Sequence, residues 1–89
     1  MSWDYRIEES AKRDLVKLGP SAAAEIRDFL HKRIRGATDP QRFGKPLRGS
    51  KHGLLRYRVR NWRILCRLEK SILIVVVVAV GHRSGVYED

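Results

Sequence analysis

Arg56, Arg58 and Arg60 alternate with apolar residues in a segment whose period of two predicts a β-strand. Side chains two residues apart share one face of a strand, so we expect these guanidinium groups to line up about 7 Å apart. That spacing is close to the phosphate spacing of an extended nucleic acid strand. Arginine suits this contact because its planar guanidinium forms paired hydrogen bonds with phosphate oxygens. The alternation therefore predicts a row of phosphate-binding groups.

The basic charge of the chain is concentrated around these arginines. The 89 residues include 19 Lys and Arg against 10 Asp and Glu, a net charge of +9. Between Asp39 and Glu69 no acidic residue occurs, whereas elsewhere the basic and acidic residues balance. A face kept charged for solubility alone is expected to mix both signs, so we interpret the segment as a binding surface for nucleic acid or an acidic protein. Its basic residues are Arg42, Lys45, Arg48, Lys51, Arg56, Arg58, Arg60, Arg63 and Arg67.

Side chains capable of acid–base chemistry follow the last apolar run. His82, Arg83 and Tyr87 supply an imidazole, a guanidinium and a phenol close together in the chain. They come directly after a predicted central strand, so we expect them at the edge of the sheet. Such groups can transfer protons or stabilise negative charge in a reaction. A polar tail without function is the alternative that this segment alone leaves open.

Other kinds of chemistry find little support in the sequence. His31, His52 and His82 show no metal-ligand spacing to one another or to a cysteine. Cys66 alternates with apolar residues, which predicts a buried thiol rather than a nucleophile. The sequence thus predicts neither a metal nor a cofactor. Trp62, in a predicted turn, is a candidate for stacking on a base.

The first half of the chain predicts a strand and a helical hairpin. Trp3–Glu8 alternates apolar and polar residues, which is typical of a half-buried strand. Ser10 is the predicted N-cap of a first helix that ends at Gly19. A second helix is predicted from Pro20 to the C-capping Gly36, with apolar residues at helical spacing. The short connection implies that the two helices pack as an antiparallel hairpin.

The second half predicts a loop and a three-stranded antiparallel meander. Residues 37–53 are rich in glycine and proline and predict a loop, with a short strand near Leu47. The last strand is uncharged and β-branched, which predicts a central strand buried on both faces. The expected fold is therefore a single α+β domain spanning residues 1–89, with the helices on one face of the sheet. The three strands are predicted at residues 54–60, 63–68 and 72–80.

The chain shows no feature of an exported or membrane protein. Its longest apolar run, Ile72–Val80, is far shorter than the roughly 20 residues of a membrane helix. No signal peptide is recognisable at the N-terminus. The lone Cys66 fits a reducing compartment. We expect a cytoplasmic protein without a membrane partner.

Five short motifs occur in order along the chain. They are Lys45-Pro46-Leu47-Arg48-Gly49, Leu55–Arg60, Trp62–Leu65, Val80–Arg83 and Val86-Tyr87. Together they resemble the RelE branch of the RelE/ParE toxin superfamily, and the resemblance covers nearly the whole chain. It implies a microbial-ribonuclease-like α+β fold and the toxin of a type II toxin–antitoxin pair that cuts mRNA in the ribosomal A site without a metal. It also implies a cognate antitoxin as partner, with operator DNA contacted indirectly through the toxin–antitoxin complex.

The resemblance also implies roles for individual residues. Arg63 and Arg83 match the catalytic arginines of the family, and Tyr87 matches its closing tyrosine. Arg56 and Arg58 occupy positions where the best-studied members carry lysine. The remaining RNA-binding candidates are Arg60, Lys51, Arg48 and Lys45.

RNA cleavage of this kind needs a base for the 2′-hydroxyl proton and an acid for the leaving 5′-oxygen. Arginine stays protonated and is a poor base. Lys51, His52, His82, Tyr87 or a group of the ribosome are the candidates for this base. His82 is favoured among them because an imidazole titrates in the right pH range.

Two other functions remain open. A ParE-like inhibitor that binds DNA gyrase and cuts nothing would share the fold and the basic charge. A non-catalytic module that binds RNA or the ribosome would also fit, and the arginines at the lysine positions favour it. The closing motif from Val80 to Tyr87 favours the RNA-cleaving branch over the gyrase inhibitor.

Overall fold

The computed structural model describes residues 1–49 and 52–82, which form two helices packed on one face of a five-stranded sheet. The predicted α+β class and the order of strand, two helices and meander are confirmed. A turn of π-helix, Leu30–Ile34, extends the second helix, and a 3-10 turn, Pro40–Phe43, precedes the second strand. The elements are β1 (Asp4–Ile7), α1 (Glu9–Leu18), α2 (Pro20–Phe29), β2 (Gly44–Pro46), β3 (Leu55–Val59), β4 (Trp62–Glu69) and β5 (Ile74–His82).

The strands lie in the order β1-β5-β4-β3-β2. β1 is parallel to β5, and the other neighbours are antiparallel. The last strand is therefore central, as its uncharged β-branched sequence predicts. Val75, Val76 and Val77 are fully buried in it. A parallel pair requires a long crossover, which α1, α2 and the rest of the intervening chain supply between β1 and β5.

One face of the sheet, the helix face, packs against α1 and α2 and forms the core. Each buried aliphatic or aromatic side chain there contributes about 1.5–3 kcal/mol to folding. From the strands it takes Leu55, Tyr57, Ile64, Cys66, Val75, Val77 and Val80. From the helical layer it takes Ala11, Leu15, Ile26, Leu30 and Ile34. Since side chains alternate along a strand, the residues between these core positions lie on the opposite face.

The helix boundaries depart from prediction at two points. α1 begins at Glu9 with Glu8 as its N-cap, so the prediction of Ser10 as the capping residue is wrong. The Ser10 hydroxyl instead donates a hydrogen bond to the carbonyl oxygen of Val78 on β5, at 2.8 Å. The second helix closes with the π-turn, in which the Arg35 N–H donates to the carbonyl of Leu30.

The meander also differs from prediction in detail. Val59 pairs with Trp62, so the turn between β3 and β4 consists of Arg60 and Asn61, one residue earlier than predicted. Trp62 is thus the first residue of β4, half-buried against the core rather than in a turn. The short strand predicted near Leu47 is β2, which ends one residue before it. Nowhere in residues 1–49 and 52–82 is a helix long and apolar enough to span a membrane.

Candidate nucleic-acid interface

Two rows of cross-strand neighbours place cations together on the face opposite the helices. In the first row Lys45 of β2 pairs with Arg56 of β3. In the second, Arg58 of β3 pairs with Arg63 of β4. Residues directly opposite in an antiparallel pair have Cβ atoms about 4.5–5.5 Å apart. We call the surface formed by Lys45, Arg56, Arg58 and Arg63 the cationic face.

Both rows continue across β4 and β5 without an acidic residue. The first runs from Arg56 to Leu65 and then to Ala79, and the second runs from Arg63 to Gly81. Ala79 and Gly81 have little or no side chain. The rows therefore end on β5 at positions that add little side-chain bulk, with Gly81 paired to Arg63.

Arg63 is the most deeply buried charged residue in the described part of the chain. Its side chain is 5% exposed. One terminal nitrogen, Nη1, donates a 3.5 Å hydrogen bond to the carbonyl oxygen of Trp62. Arginine is rarely buried to this extent, because removing its charge from water is costly. The burial holds the guanidinium in a fixed position, as stabilisation of a developing negative charge requires.

Arg58 is the exposed member of the pair that it forms with Arg63. It lies on β3 directly opposite Arg63, and its side chain is exposed. Within the described residues, no carboxylate lies within 4.0 Å of its guanidinium. Like charges placed directly opposite each other on a sheet destabilise the fold. A bound anion between the two would remove that cost.

Arg60 does not extend this row, contrary to the predicted ladder of three arginines. It lies beyond the end of β3, in the two-residue turn, with φ 51°. Its Nε lies 2.6 Å from Oε1 of Glu25 on α2. The tight turn ends the alternation one residue before Arg60, so only Arg56 and Arg58 share a strand face.

Arg67, at the other end of the basic segment, is also paired with acids. Its Nε donates to Glu69 at 2.8 Å, and its Nη2 lies 3.5 Å from Glu8. The hydrogen bond to Glu69, together with that to Glu8, raises the pKa of Arg67 further above its usual value. The segment that the sequence shows without acids is therefore balanced in space at both ends, by Glu25 and by Glu8 with Glu69. The cationic face lies between these two ends.

The described residues contribute two histidines to the list of candidate bases, and neither lies beside Arg63. His82 pairs with Trp62, two residues after the core residue Val80, which puts it on the helix face. His52 lines a pocket with Leu68, near the far end of β4. Five residues separate Arg63 from Leu68 on that strand, a distance of about 17 Å. Both histidines are exposed.

The remaining sequence candidates divide between loops and the undescribed segments. Arg48 is exposed in the loop after β2. Lys51, Arg83 and Tyr87 lie outside the described residues. The pairing of Lys45 with Arg56 is a feature that sequence reasoning missed, because β2 has only three residues and shows no alternation of its own.

Two groups with reactive chemistry are core residues, and for Cys66 this is what the sequence predicts. Burial raises the pKa of the Cys66 thiol, which is fully inaccessible. Burial also raises the pKa of Tyr57, whose hydroxyl donates a 2.8 Å hydrogen bond to the carbonyl oxygen of Pro40. Neither group is available as a nucleophile or base. In the described part of the chain, no group of three or more His, Cys, Asp and Glu side chains could hold a metal ion.

Comparison with known protein families gives one match that spans most of the chain. Residues 5–87 match the model of the ParE toxin of the type II toxin–antitoxin system parDE. Toxin RelG of Mycobacterium tuberculosis H37Rv is 33% identical over 87 residues, which cover 98% of both chains. Toxin RelE of the same organism is 30% identical over 81 residues, covering 91% of this chain and 81% of the relative.

Solved structures show the same fold. The toxin–antitoxin complex RelBE2 of Mycobacterium tuberculosis contains a chain that is 32% identical with a TM-score of 0.83, covering 93% of this chain and 100% of that chain. A mutant of Escherichia coli toxin RelE in the free state aligns with a TM-score of 0.70 at 20% identity, covering 92% of this chain and 84% of that chain. The predicted RelE-like fold is confirmed by these neighbours.

Proposed function

Because the chain belongs to the ParE toxin family of type II toxin–antitoxin systems, within the RelE/ParE superfamily, we propose that it cleaves mRNA in the ribosomal A site. The sequence relatives that cover nearly the whole chain carry RelG and RelE names, which supports the RNA-cleaving branch. Such a toxin acts in the cytoplasm, where its ribosomal substrate is found. Its mRNA would lie across the cationic face.

The observation that carries this proposal is the placement of Arg58 directly opposite the buried Arg63. A sheet gains nothing in stability from two guanidinium groups in directly opposite positions. A phosphodiester between them would contact one exposed cation and one buried cation. Exposed Lys45 and partly exposed Arg56 in the neighbouring row would hold the adjacent phosphate of the same RNA strand.

The reaction proposed for this site is transesterification. The 2′-oxygen attacks phosphorus in line with the 5′-oxygen, so that one P–O bond forms as the other breaks and a 2′,3′-cyclic phosphate results. A base takes the proton of the 2′-hydroxyl and an acid gives one to the leaving 5′-oxygen. The phosphoryl oxygens gain negative charge in the transition state, and the fixed guanidinium of Arg63 would stabilise it.

The acid and the base of this reaction are proposed to come from outside the described residues or from the ribosome. Arg58 and Arg63 keep their protons and serve only to hold charge. His52 lines a pocket about 17 Å from Arg63, and His82 lies on the helix face, which leaves Tyr87 as the candidate from this chain. Arg83 is proposed as a second guanidinium on the scissile phosphate, following the family resemblance.

A direct test is induction of the protein in a bacterial host with mapping of mRNA 5′ ends. We expect growth arrest and new 5′ ends within codons for the wild type. The Arg63→Ala variant should give neither effect, while Arg13→Ala, which removes an exposed arginine of α1, should behave as the wild type. Intact mRNA in cells that accumulate folded wild-type protein would contradict the proposal. The same outcome would favour a module that binds RNA without cutting it.

A second candidate function follows from the name of the matching family. The family model is that of a ParE toxin, and a ParE-like protein would inhibit DNA gyrase rather than cut RNA. A supercoiling assay with purified gyrase separates the two functions. Inhibition of supercoiling at stoichiometric toxin, without new mRNA 5′ ends, would identify the gyrase inhibitor.

A cognate antitoxin is the protein partner that family membership and the solved toxin–antitoxin complexes support. We propose that it docks in an apolar groove between α1 and α2, called the hairpin groove, formed by Leu15, Val16, Gly19, Pro20 and Ala23. Lys12 and Arg27 flank this groove, and Val16 is 81% exposed in it. The apolar floor and basic sides suit an acidic amphipathic helix. The antitoxin would also link the toxin indirectly to operator DNA.

A further inference from the structure

The central strand β5 is longer than the strand on its outer side. β1 pairs with β5 only as far as Ile7, which lies opposite Val77. The N–H of Glu8 then donates to the carbonyl of Val77 at 3.0 Å, and within the described residues no later backbone hydrogen bond joins the N-terminal segment to β5. β5 continues to His82. Its edge from Val78 onward therefore needs other hydrogen-bond partners.

Side chains of α1 provide two of these partners. The Ser10 hydroxyl donates to the carbonyl oxygen of Val78 at 2.8 Å. Oδ2 of Asp14 accepts the backbone N–H of Val80 at 2.9 Å. Four residues of helix advance about 6 Å, and two residues of strand advance about 6.6 Å. Helix positions 10 and 14 therefore match strand positions 78 and 80, and α1 takes the place of a neighbouring strand.

The carbonyl that Ser10 binds belongs to the residue at which the pairing of β4 with β5 is interrupted by a β-bulge. Leu65 pairs with Ala79 and Cys66 pairs with Val77, so the register shifts at Val78. An extra residue of this kind changes the direction in which the following side chains point. The bulge lets Ala79 and Gly81, rather than bulkier residues, lie opposite Leu65 and Arg63.

We propose that Asp14 and Ser10 are positioning residues that hold residues 78–82 of β5 in the register that places Gly81 beside Arg63. Only the predicted effect of these two residues on catalysis rests on the proposed function. Loss of the two bonds would free the end of β5, and the backbone next to the scissile phosphate would shift. A displacement of about 1 Å in such a position can slow a reaction by up to roughly 100-fold.

The role of Asp14 depends on its acceptor oxygen and not on its charge. Asn keeps an acceptor of the same length, whereas Ala removes it. Asp28→Ala is the matched control, since Asp28 is an exposed aspartate on α2 that contacts Lys32 and not β5. Urea unfolding of each variant accompanies both tests below, so that a general loss of stability is recognised.

Amide hydrogen exchange tests the hydrogen bond itself. In the Asp14→Ala variant we expect Val80 to exchange about tenfold faster or more, because its N–H opens locally. Asp14→Asn and Asp28→Ala should leave its exchange near the wild-type rate. Unchanged protection of Val80 in Asp14→Ala would overturn the inference. This measurement decides the point even if the wild type cuts no RNA, in which case the proposed function fails on its own.

Single-turnover cleavage on programmed ribosomes tests the consequence. Asp14→Ala should lower the rate at saturating ribosome by about tenfold or more, with little change in the half-saturating concentration. Asp14→Asn should restore the rate to within about threefold of the wild type. A wild-type rate in Asp14→Ala, or equal loss in Asp14→Asn, would contradict a positioning role.

Discussion

Arg58 and Arg63 show most clearly, at the residue scale, a conflict between stability and binding. They lie directly opposite each other on β3 and β4, one exposed and one 5% exposed. Like charges in this position cost about 0.2–1 kcal/mol relative to a neutral pair. We propose that an RNA phosphate bound beside this pair offsets that cost.

Arg58→Leu should make the protein more stable and a poorer RNA binder. Removing the like charge opposite Arg63 should raise the free energy of unfolding by about 0.5 kcal/mol. Loss of one phosphate contact should reduce the salt dependence of single-stranded RNA affinity by about 0.7 in slope. Urea denaturation and RNA binding at several salt concentrations measure the two effects. Arg13→Leu is the control, and equal effects from both variants would contradict the assignment of Arg58.

The buried side chains of Cys66 and Tyr57 should make the free energy of unfolding depend on pH. Burial raises the pKa of the Cys66 thiol above its ordinary value of 9.0 and that of the Tyr57 hydroxyl above 10.0. The folded protein therefore keeps these protons more tightly than the unfolded chain does. The stabilisation from Cys66 is complete below pH 9 and is lost as the pH rises above 9. The stabilisation from Tyr57 is lost in the same way above pH 10.

The free energy of unfolding should thus fall above pH 9, by up to about 1.4 kcal/mol per pH unit for each group. Cys66→Ala should flatten the decline that begins near pH 9, and Tyr57→Phe the part above pH 10. Chemical denaturation between pH 7 and pH 11 provides the measurement. Slopes that are the same in both variants and in the wild type would contradict the burial of these protons.

The sequence predicts some of the site residues and misses others for physical reasons. Arg56 and Arg58 are identified by strand alternation, which the fold preserves. The prediction that Arg60 extends the row is wrong because a tight turn begins one residue earlier than the alternation suggests. Arg67 is instead paired with Glu69, which borders the acid-free segment two residues away, and with Glu8, which is 59 residues away in the chain.

At the scale of elements, β2 depends on a single glycine. A Cβ at Gly44 would lie 2.8 Å from the carbonyl oxygen of Arg56 and 2.9 Å from Cδ1 of Tyr57. Both atoms belong to β3, with which β2 pairs. Only a residue without a side chain allows β2 to approach and place Lys45 opposite Arg56.

Gly44→Ala should push β2 away from β3. We expect a loss of about 1–3 kcal/mol in the free energy of unfolding, faster amide exchange of Lys45 and weaker RNA binding. Gly53→Ala is the contrasting variant, since no atom lies within 4 Å of its Cβ position but its φ is +93°. That change should cost stability through the backbone alone and leave the protection of Lys45 intact. Unaltered protection of Lys45 in Gly44→Ala would argue against this account.

Elements with a strong period are predicted well, and elements fixed by tertiary contacts are not. The helical stripe through Ile26 forms where the sequence places it, and the β-branched run forms β5, which begins and ends two residues later than predicted, at Ile74–His82. β2 is too short to show a period, and its pairing partner alone defines it. Ser10 has the sequence context of a helix cap, but its hydroxyl donates to the carbonyl of Val78 at the edge of β5 instead.

At the scale of the whole molecule, the two proposed functions belong to two separate surfaces. The cationic face lies on one side of the sheet, and the helices that form the hairpin groove pack on the other. RNA cleavage and antitoxin docking in the groove should therefore be separable by mutation. The fold class and the net charge are evident from the sequence, but this division depends on which face the helices cover.

Val16→Asp should weaken antitoxin binding without affecting cleavage. The new carboxylate lies on the apolar floor of the hairpin groove and opposes an acidic partner, so we expect affinity to fall at least about tenfold, or 1.4 kcal/mol. Ile72→Asp is the matched control, since Ile72 is also exposed but lies in the turn between β4 and β5. Calorimetry with the purified antitoxin measures both. Equal affinity of the two variants would place the antitoxin elsewhere.

We propose that the cationic face cuts mRNA on the ribosome, with Arg63 as the fixed cation. The most direct measurement is single-turnover cleavage of mRNA on purified ribosomes with an open A site, comparing wild type, Arg63→Ala and Arg13→Ala. We predict cleavage within the A-site codon by wild type and Arg13→Ala, and a rate at least about 100-fold lower for Arg63→Ala. Cleavage by Arg63→Ala at the wild-type rate, or intact mRNA on ribosomes that carry bound wild-type protein, would contradict the claim.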